Sequence, residues 1–316
     1  MNTNTLLNPY QKFGAPVDPN LSNEENLAAA GLTDVNLRLI TPSLTDEYGL
    51  PIDVGNIRHI VGNFVVPGSN GARVPVVTGT ATTAYNPFQP PEVLLPLMEG
   101  FENLGLTLDI LGQYDNGKAY YAVYRLPAGT VVKGADRVLP YIVATNRNDG
   151  SGSARAYAVA ERASCANMIN SLAKNGKKVL AVRHTRNANP YLMQQVEEVL
   201  GITRDWGQEL ATEIAALEQK FVSQRTYTDR VLPALLGERP DEKGRSQTIF
   251  DRKFNELVAS WDSPVAAEGD TAWRAYNAVT EWEQHHRTGN DRVMAEAVLN
   301  GRTPMEDKVV KVLASI

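Results

Sequence analysis

The chain has 316 residues, 43% hydrophobic and 21% charged, a balance typical of folded globular proteins and unlike disordered, collagenous or coiled-coil chains. Its single cysteine, Cys165, excludes an internal disulfide framework and any zinc site needing two thiolates, and it fits a reducing compartment. No basic stretch followed by an apolar core opens the sequence, and no run of about 18 apolar residues occurs, so a cytoplasmic protein without membrane contact is expected.

The net charge of −5 hides a segregation. Residues 1–110 hold 4 Lys/Arg against 11 Asp/Glu, residues 130–190 hold 10 against 3, and residues 191–316 hold 15 against 21. The ten cations of the middle segment are Lys133, Arg137, Arg147, Arg155, Arg162, Lys174, Lys177, Lys178, Arg183 and Arg186. Such a surplus can build a positive surface inside an acidic protein. Alternatively, it pairs with the acidic flanks and holds domains together.

In chain order, residues 1–37 read as an arm, with a short helix at Asn23–Ala30 capped by Ser22 or Asn23. Extended segments follow at Leu37–Ile40 and Arg58–Val66. Pro67, Pro75, Pro87, Pro90 and Pro91, interleaved with Gly68, Gly71 and Gly79, allow only a short strand near Val74–Thr78. Pro91 suits the first turn of a helix running to about Asn103. Leu106–Tyr114 and Lys118–Leu126 flank Asp115-Asn116-Gly117, the composition of a tight antiparallel hairpin. Strands are expected at Val138–Thr145, with Pro140 marking its beginning or an edge, and at Ala154–Ala160, with the turn-rich loop Asn146–Ser153 between them. Ser164 then caps a helix over Cys165–Lys174, and Val179–Val182 is a last short strand.

Beyond Pro190 helical periodicity dominates: Leu210, Ile214, Leu217 and Phe221, then Ile249 to Trp261, then Asp270 or Thr271 to Arg287, and finally Pro304 to the end. The expected class is α+β, with an arm (1–37), a mixed domain with an antiparallel sheet and a β-β-β-α core (38–187), and a helical domain (188–316). The acid-rich Gly237–Arg245 reads as a connecting loop.

The sequence lacks a P-loop, a dinucleotide-binding glycine motif, H-E-x-x-H and G-x-S-x-G, so no standard enzyme signature is present and neither cofactor nor metal is expected. Three polar clusters stand out. Asn146–Ser151 either presents backbone N–H groups to an anion or caps its own turn. Arg183-His184-Thr185-Arg186 ends a strand, where the arginines suit phosphate and His184 suits a base or ligand. In GDTAWRAYNAVTEWEQHHR, Asn277, Glu281 and His285 lie four apart on one helical face. A buried polar seam of Asn146, Asn167, Asn277 and Glu281 is the favoured role for this stripe and its neighbours. Tyr120, Tyr141 and Tyr157 interleave with the cations and offer faces for stacking unpaired bases. Cys165 is expected to be a small core residue.

At these clusters the chain resembles the phage- and plasmid-related family containing the domain of unknown function 932. The matching stretches are Tyr141–Ser151, Arg162–Asn167, Arg183–Thr185 and Thr271–His285, and the likeness spans about residues 38–315. It implies carriage on mobile elements, a bacterial cytoplasm and a step in mobile-element DNA metabolism. Arg147 stands where many relatives have histidine, which weakens a catalytic role there. The β-β-β-α order is also similar to the core of Rad52-like single-strand annealing proteins.

Two functions follow as expectations. The first is a homo-oligomeric DNA-binding or annealing protein working with phage or host recombination proteins. In it Arg147, Arg155, Arg162, Lys174, Lys177, Lys178, Arg183 and Arg186 track phosphates while Tyr120, Tyr141 and Tyr157 stack bases. The alternative is a hydrolase or nuclease gathering Asp149, His184, Glu281 and His285 across the domain junction.

Overall fold

The computed structural model describes residues 9–126, 130–131, 137–162, 167–169, 180–184, 209–241, 244–263, 265–286 and 304–316. The proposed domain boundary at 188 lies outside them. Within the described residues the architecture is α+β.

The hairpin organises the main sheet. Asp115, Asn116 and Gly117 adopt φ of 48°, 56° and 86°, the left-handed region that Asn, Asp and Gly enter at least cost. They join strands β5 (Thr107–Tyr114) and β6 (Ala119–Arg125) antiparallel. Strand β6 pairs with β8 (Arg137–Arg147), and β8 with β9 (Ala154–Arg162). Between them in sequence, β7 (Thr130–Val131) takes over from β6 along the start of β8. Pro140 therefore does not mark an end or an edge. It sits inside β8, beyond the last β6 pair and before the β7 pairs, where a missing N–H breaks no ladder bond to either.

The arm contributes more than a loose lead. After a short helix α1 (Pro9–Phe13), strand β1 (Gly14–Pro16) closes the β5 edge of the sheet. Helix α2 (Asn23–Ala29) begins with a full capping box from Ser22 and Glu25. Strands β2 (Arg38–Ile40), β3 (Ile57–Val65) and β4 (Arg73–Thr82) form a separate antiparallel sheet. Strand β4 spans ten residues, twice the expected length. Its proline is tolerated because, among the described residues, β4 pairs only with β3 and is thus an edge strand. Its glycine is required: a Cβ on Gly79 would lie 2.1 Å from the carbonyl oxygen of Asp149, so β4 meets the turn after β8 there backbone to backbone.

Helix α3 (Pro90–Glu102) covers one face of the main sheet. Val93, Leu94, Leu97, Met98 and Phe101 meet Tyr120, Ala122, Tyr124, Ile142, Ala144, Ala154 and Ala156, each large apolar side chain contributing about 2 kcal/mol by burial. On the other face Tyr121, Val123, Tyr141, Val143, Tyr157 and Val159 pack with Tyr10 of the arm. Alternation places these sets on opposite sides.

At the far edge β9 bonds two short strands, β10 (Asn167–Ile169) and β11 (Leu180–Val182), both antiparallel to it. This corrects the helix expected over Cys165–Lys174. Residues 167–169 instead extend the ladder against Ala160–Arg162, where pairing overrides local helix propensity. The remaining residues of that span, Cys165 included, lie outside the description. Strands β10 and β11 run along one edge in one direction. Ile169 and Leu180 are eleven positions apart, while their partners Ala160 and Ala156 are four apart.

The helical part comprises α4 (209–219), α5 (Arg245–Trp261), α6 (Ala272–Glu281) and α7 (Pro304–Ser315). It also has a helix from Gln224 to Leu236, with a π-wound turn at Tyr227–Val231. A second π turn, Trp282–His286, continues α6. Leu210, Ile214, Leu257, Trp261, Trp273 and Tyr276 form the centre of this core, which also takes in Val138, Ala158 and Ala160. The helices thus pack on the Val138/Arg162 end of β8 and β9, whereas α3 packs on the Ala154 end.

Candidate nucleic-acid interface and the polar cluster around His184

The end of β8 is a dense polar knot. Asn148 donates its backbone N–H to Lys118 O (2.6 Å) and its Nδ2 to Gly117 O (3.1 Å), binding the loop to the hairpin turn. Asn146 Nδ2 donates to Asn148 Oδ1 (2.8 Å), and Thr78 Oγ1 to Asn148 O (2.6 Å). Arg147 grips Asp149 through Nη2 (2.6 Å) and Nε (3.4 Å), while Ser151 donates its N–H and hydroxyl to the same carboxylate. Burial pushes Asp149 up, but the hydrogen bonds from Arg147 and Ser151 outweigh it and hold the carboxyl below its usual range. The Asn146–Ser151 cluster therefore caps its own turn. Arg147 is ion-paired with the Asp149 carboxylate (2.6 Å).

His184 lies on the α3 side of the sheet, just beyond β11. Its ring is sandwiched between Tyr85 (4.6 Å between centroids) and Phe88 (4.5 Å). Nδ1 lies 3.2 Å from Asn86 O, and Asn86 N donates back to His184 O (3.1 Å). Among the described residues Nε2 is buried with no partner, as is Asn146 Oδ1. Burial holds the imidazole down at about 4, against weaker upward pulls from Asn86 O and Asp149, so at neutral pH the ring is uncharged. The partners that make this site, Thr78, Tyr85, Asn86 and Phe88, were not singled out by motif. They stand some 60 to 110 positions from the groups they touch, with no spacing to give them away.

The remaining site residues separate. Arg162, at the end of β9, is buried and donates Nη1 to Val265 O (2.6 Å), tying the sheet to the segment before α6. Arg155 is half-buried and donates to Ser153 Oγ (3.3 Å), while Arg183 and Arg137 are exposed. Lys133, Lys174, Lys177, Lys178 and Arg186 lie outside the described residues. Tyr120, Tyr141 and Tyr157 are buried at 1%, 6% and 4% exposure, and the first faces α3 while the other two face Tyr10. In this conformation none of the three presents a ring face to a base.

Asn277 and Glu281 lie four apart in α6, and His285 lies in the π turn that continues it. Asn277 donates to Trp273 O (2.8 Å), and Glu281 Oε1 lies 3.2 Å from His286 Nε2. Donating to the Glu281 carboxylate raises His286. Asn146 stands at the other end of the sheet, and the side chain of Asn167 lies outside the description, so the four-residue seam does not form as one unit. The clamp between sheet and helices is Arg162. The four residues of the hydrolase alternative lie in two different parts of the fold. Asp149 and His184 belong to the β4–β8 knot, Glu281 and His285 to the helical core, and no cluster of three or more potential metal ligands occurs among the described residues.

Together these features describe an α+β protein with a two-sided antiparallel sheet, a polar knot at one end of its central strands and a helical unit at the other. Over residues 77–314 the chain matches the family described as a domain of unknown function, DUF932; it belongs to that family. The match begins within β4 and ends within α7. No curated protein and no solved structure matches the chain.

Proposed function

We propose that this member of the DUF932 family is a DNA-binding protein acting in recombination or replication of phage or plasmid DNA. In this role it is a homo-oligomer in the bacterial cytoplasm, holding single-stranded DNA without hydrolysing nucleotides. One observation carries the proposal: residues 163–190 contain Lys174, Lys177, Lys178, Arg183 and Arg186 and no Asp or Glu. A stretch of that charge, with no carboxylate of its own to neutralise it, attracts a polyanion. The burial of Tyr120, Tyr141 and Tyr157 and the commitment of Arg147 and Arg162 to protein partners leave phosphate contacts from this stretch as the source of affinity. Binding of this kind is weakly selective for base sequence.

The test is gel retardation of labelled single- and double-stranded oligonucleotides by the wild type and by Lys178→Glu/Arg183→Glu. Reversing two of five cations is expected to weaken binding at least tenfold with the fold unchanged by circular dichroism. Equal retardation by both proteins, or none by the wild type, overturns the proposal.

A further inference from the structure

Helix α6 ends in a π-wound turn, Trp282–His286. In an α-helix the fifth residue on lies about 140° round the axis from the first, so positions 281 and 286 would face apart. The wider π winding brings position 286 back toward position 281, and His286 Nε2 lies 3.2 Å from Glu281 Oε1. The two side chains differ in exposure: Glu281 is 3% exposed and His286 47%. Among the described residues Glu281 Oε2 is buried without a hydrogen-bond partner. A buried carboxylate is therefore joined, through one of its two oxygens, to an imidazole at the surface.

The same turn ties three helices together. Trp282 Nε1 donates to Glu256 Oε2 of α5 (2.8 Å). Glu283 accepts from the backbone N–H groups of Met305 (3.0 Å) and Glu306 (3.2 Å), first-turn donors that no carbonyl inside α7 can satisfy. Other groups bear on the pair from neighbouring elements. From α5, Glu256 adds to the attraction on His286, its other oxygen lying 3.8 Å from Arg252 Nε. From the 224–236 helix, buried Tyr227 donates to Leu257 O (3.2 Å), and burial first and Glu281 second hold its hydroxyl protonated. On the turn itself, Glu283 and His285 stand beside the pair.

We infer that the Glu281–His286 pair is a proton-operated latch: protonated His286 holds the π turn closed on α5 and α7, and loss of that proton loosens the turn together with the start of α7. The neutral ring can still donate Nε2–H, so what departs is the charge that compensates a buried carboxylate. Donating to Glu281 raises His286 above its usual 6.5. The stabilisation is thus complete below 6.5 and is lost as pH rises through the raised folded value. The latch operates whether or not DNA binds.

The test is hydrogen–deuterium exchange of the full chain read by mass spectrometry, with rates corrected for the intrinsic pH dependence of exchange. His286→Gln keeps a polar side chain at a half-exposed site, and its circular dichroism should match the wild type. At about pH 6, peptides over 282–286 and 305–310 are expected to exchange about fivefold faster in this variant than in the wild type. At about pH 9 the two should agree within about twofold. Glu281→Gln, which removes the charge from the other side of the pair, should exchange at the same corrected rate at both pH values. A ratio of His286→Gln to wild type that does not change with pH, or a Glu281→Gln protein that still responds like the wild type, overturns the inference.

Discussion

Because the His184 ring is buried between Tyr85 and Phe88 and uncharged, acid should weaken the fold through this residue. Its folded value of about 4 lies below the ordinary 6.5. Below pH 6.5 the unfolded chain takes up a proton at this position that the folded chain refuses until about pH 4. Stability from this group is therefore complete above 6.5 and falls as pH drops toward 4. At about 1.4 kcal/mol per unit the full loss is about 3 kcal/mol, of which about 2 kcal/mol falls between pH 7 and pH 5. Urea unfolding of the wild type and of His184→Phe at the two pH values measures it. Phenylalanine keeps an aromatic ring in the sandwich and cannot titrate. The wild type should lose about 2 kcal/mol more than the variant. Equal losses would show that His184 is not held neutral by burial, and the sandwich would need another explanation.

Gly79→Ala should destabilise the fold by about 2 kcal/mol, read by urea midpoint. Its Cβ meets the Asp149 backbone, and separating β4 from the turn after β8 breaks the Thr78–Asn148 bond. Arg162→Met should cost about 2 kcal/mol, because Val265 O loses a buried donor. Arg183→Met, at an exposed site, should stay within about 0.5 kcal/mol; a reversed order would dissociate Arg162 from the sheet–helix clamp.

What the sequence made legible follows from how local each cause is. The β5–β6 hairpin was readable because Asp115-Asn116-Gly117 contains its own conformational reason. The Ser22 cap and the apolar stripe of α5 were readable for the same reason. Strand β4 was under-read because Pro75 and Gly79 punctuate most sequences, and only its edge position and the approach of Asp149 make them compatible with a strand. Residues 167–169 follow a capping serine and invite a helix, yet their hydrogen bonds go to β9, a partner that no local window contains. The tyrosines of β6, β8 and β9 alternate correctly, but the sheet is covered on both faces, by α3 and by Tyr10 of the arm, and that second cover has no signature. In the candidate site, Arg147 and Asp149 are neighbours in sequence, and their pairing is local. The His184 sandwich is built from Tyr85, Asn86 and Phe88, about a hundred positions away, and could be seen only in three dimensions.

The central claim is that the cationic stretch following β9 holds nucleic acid by its phosphates. Fluorescence anisotropy of a labelled single-stranded oligonucleotide, titrated with the intact chain at several salt concentrations, tests it most directly. Five phosphate contacts predict that affinity falls about a hundredfold between about 0.05 and about 0.2 M salt. An affinity that stays level across that range, or an anisotropy that never rises, would contradict it.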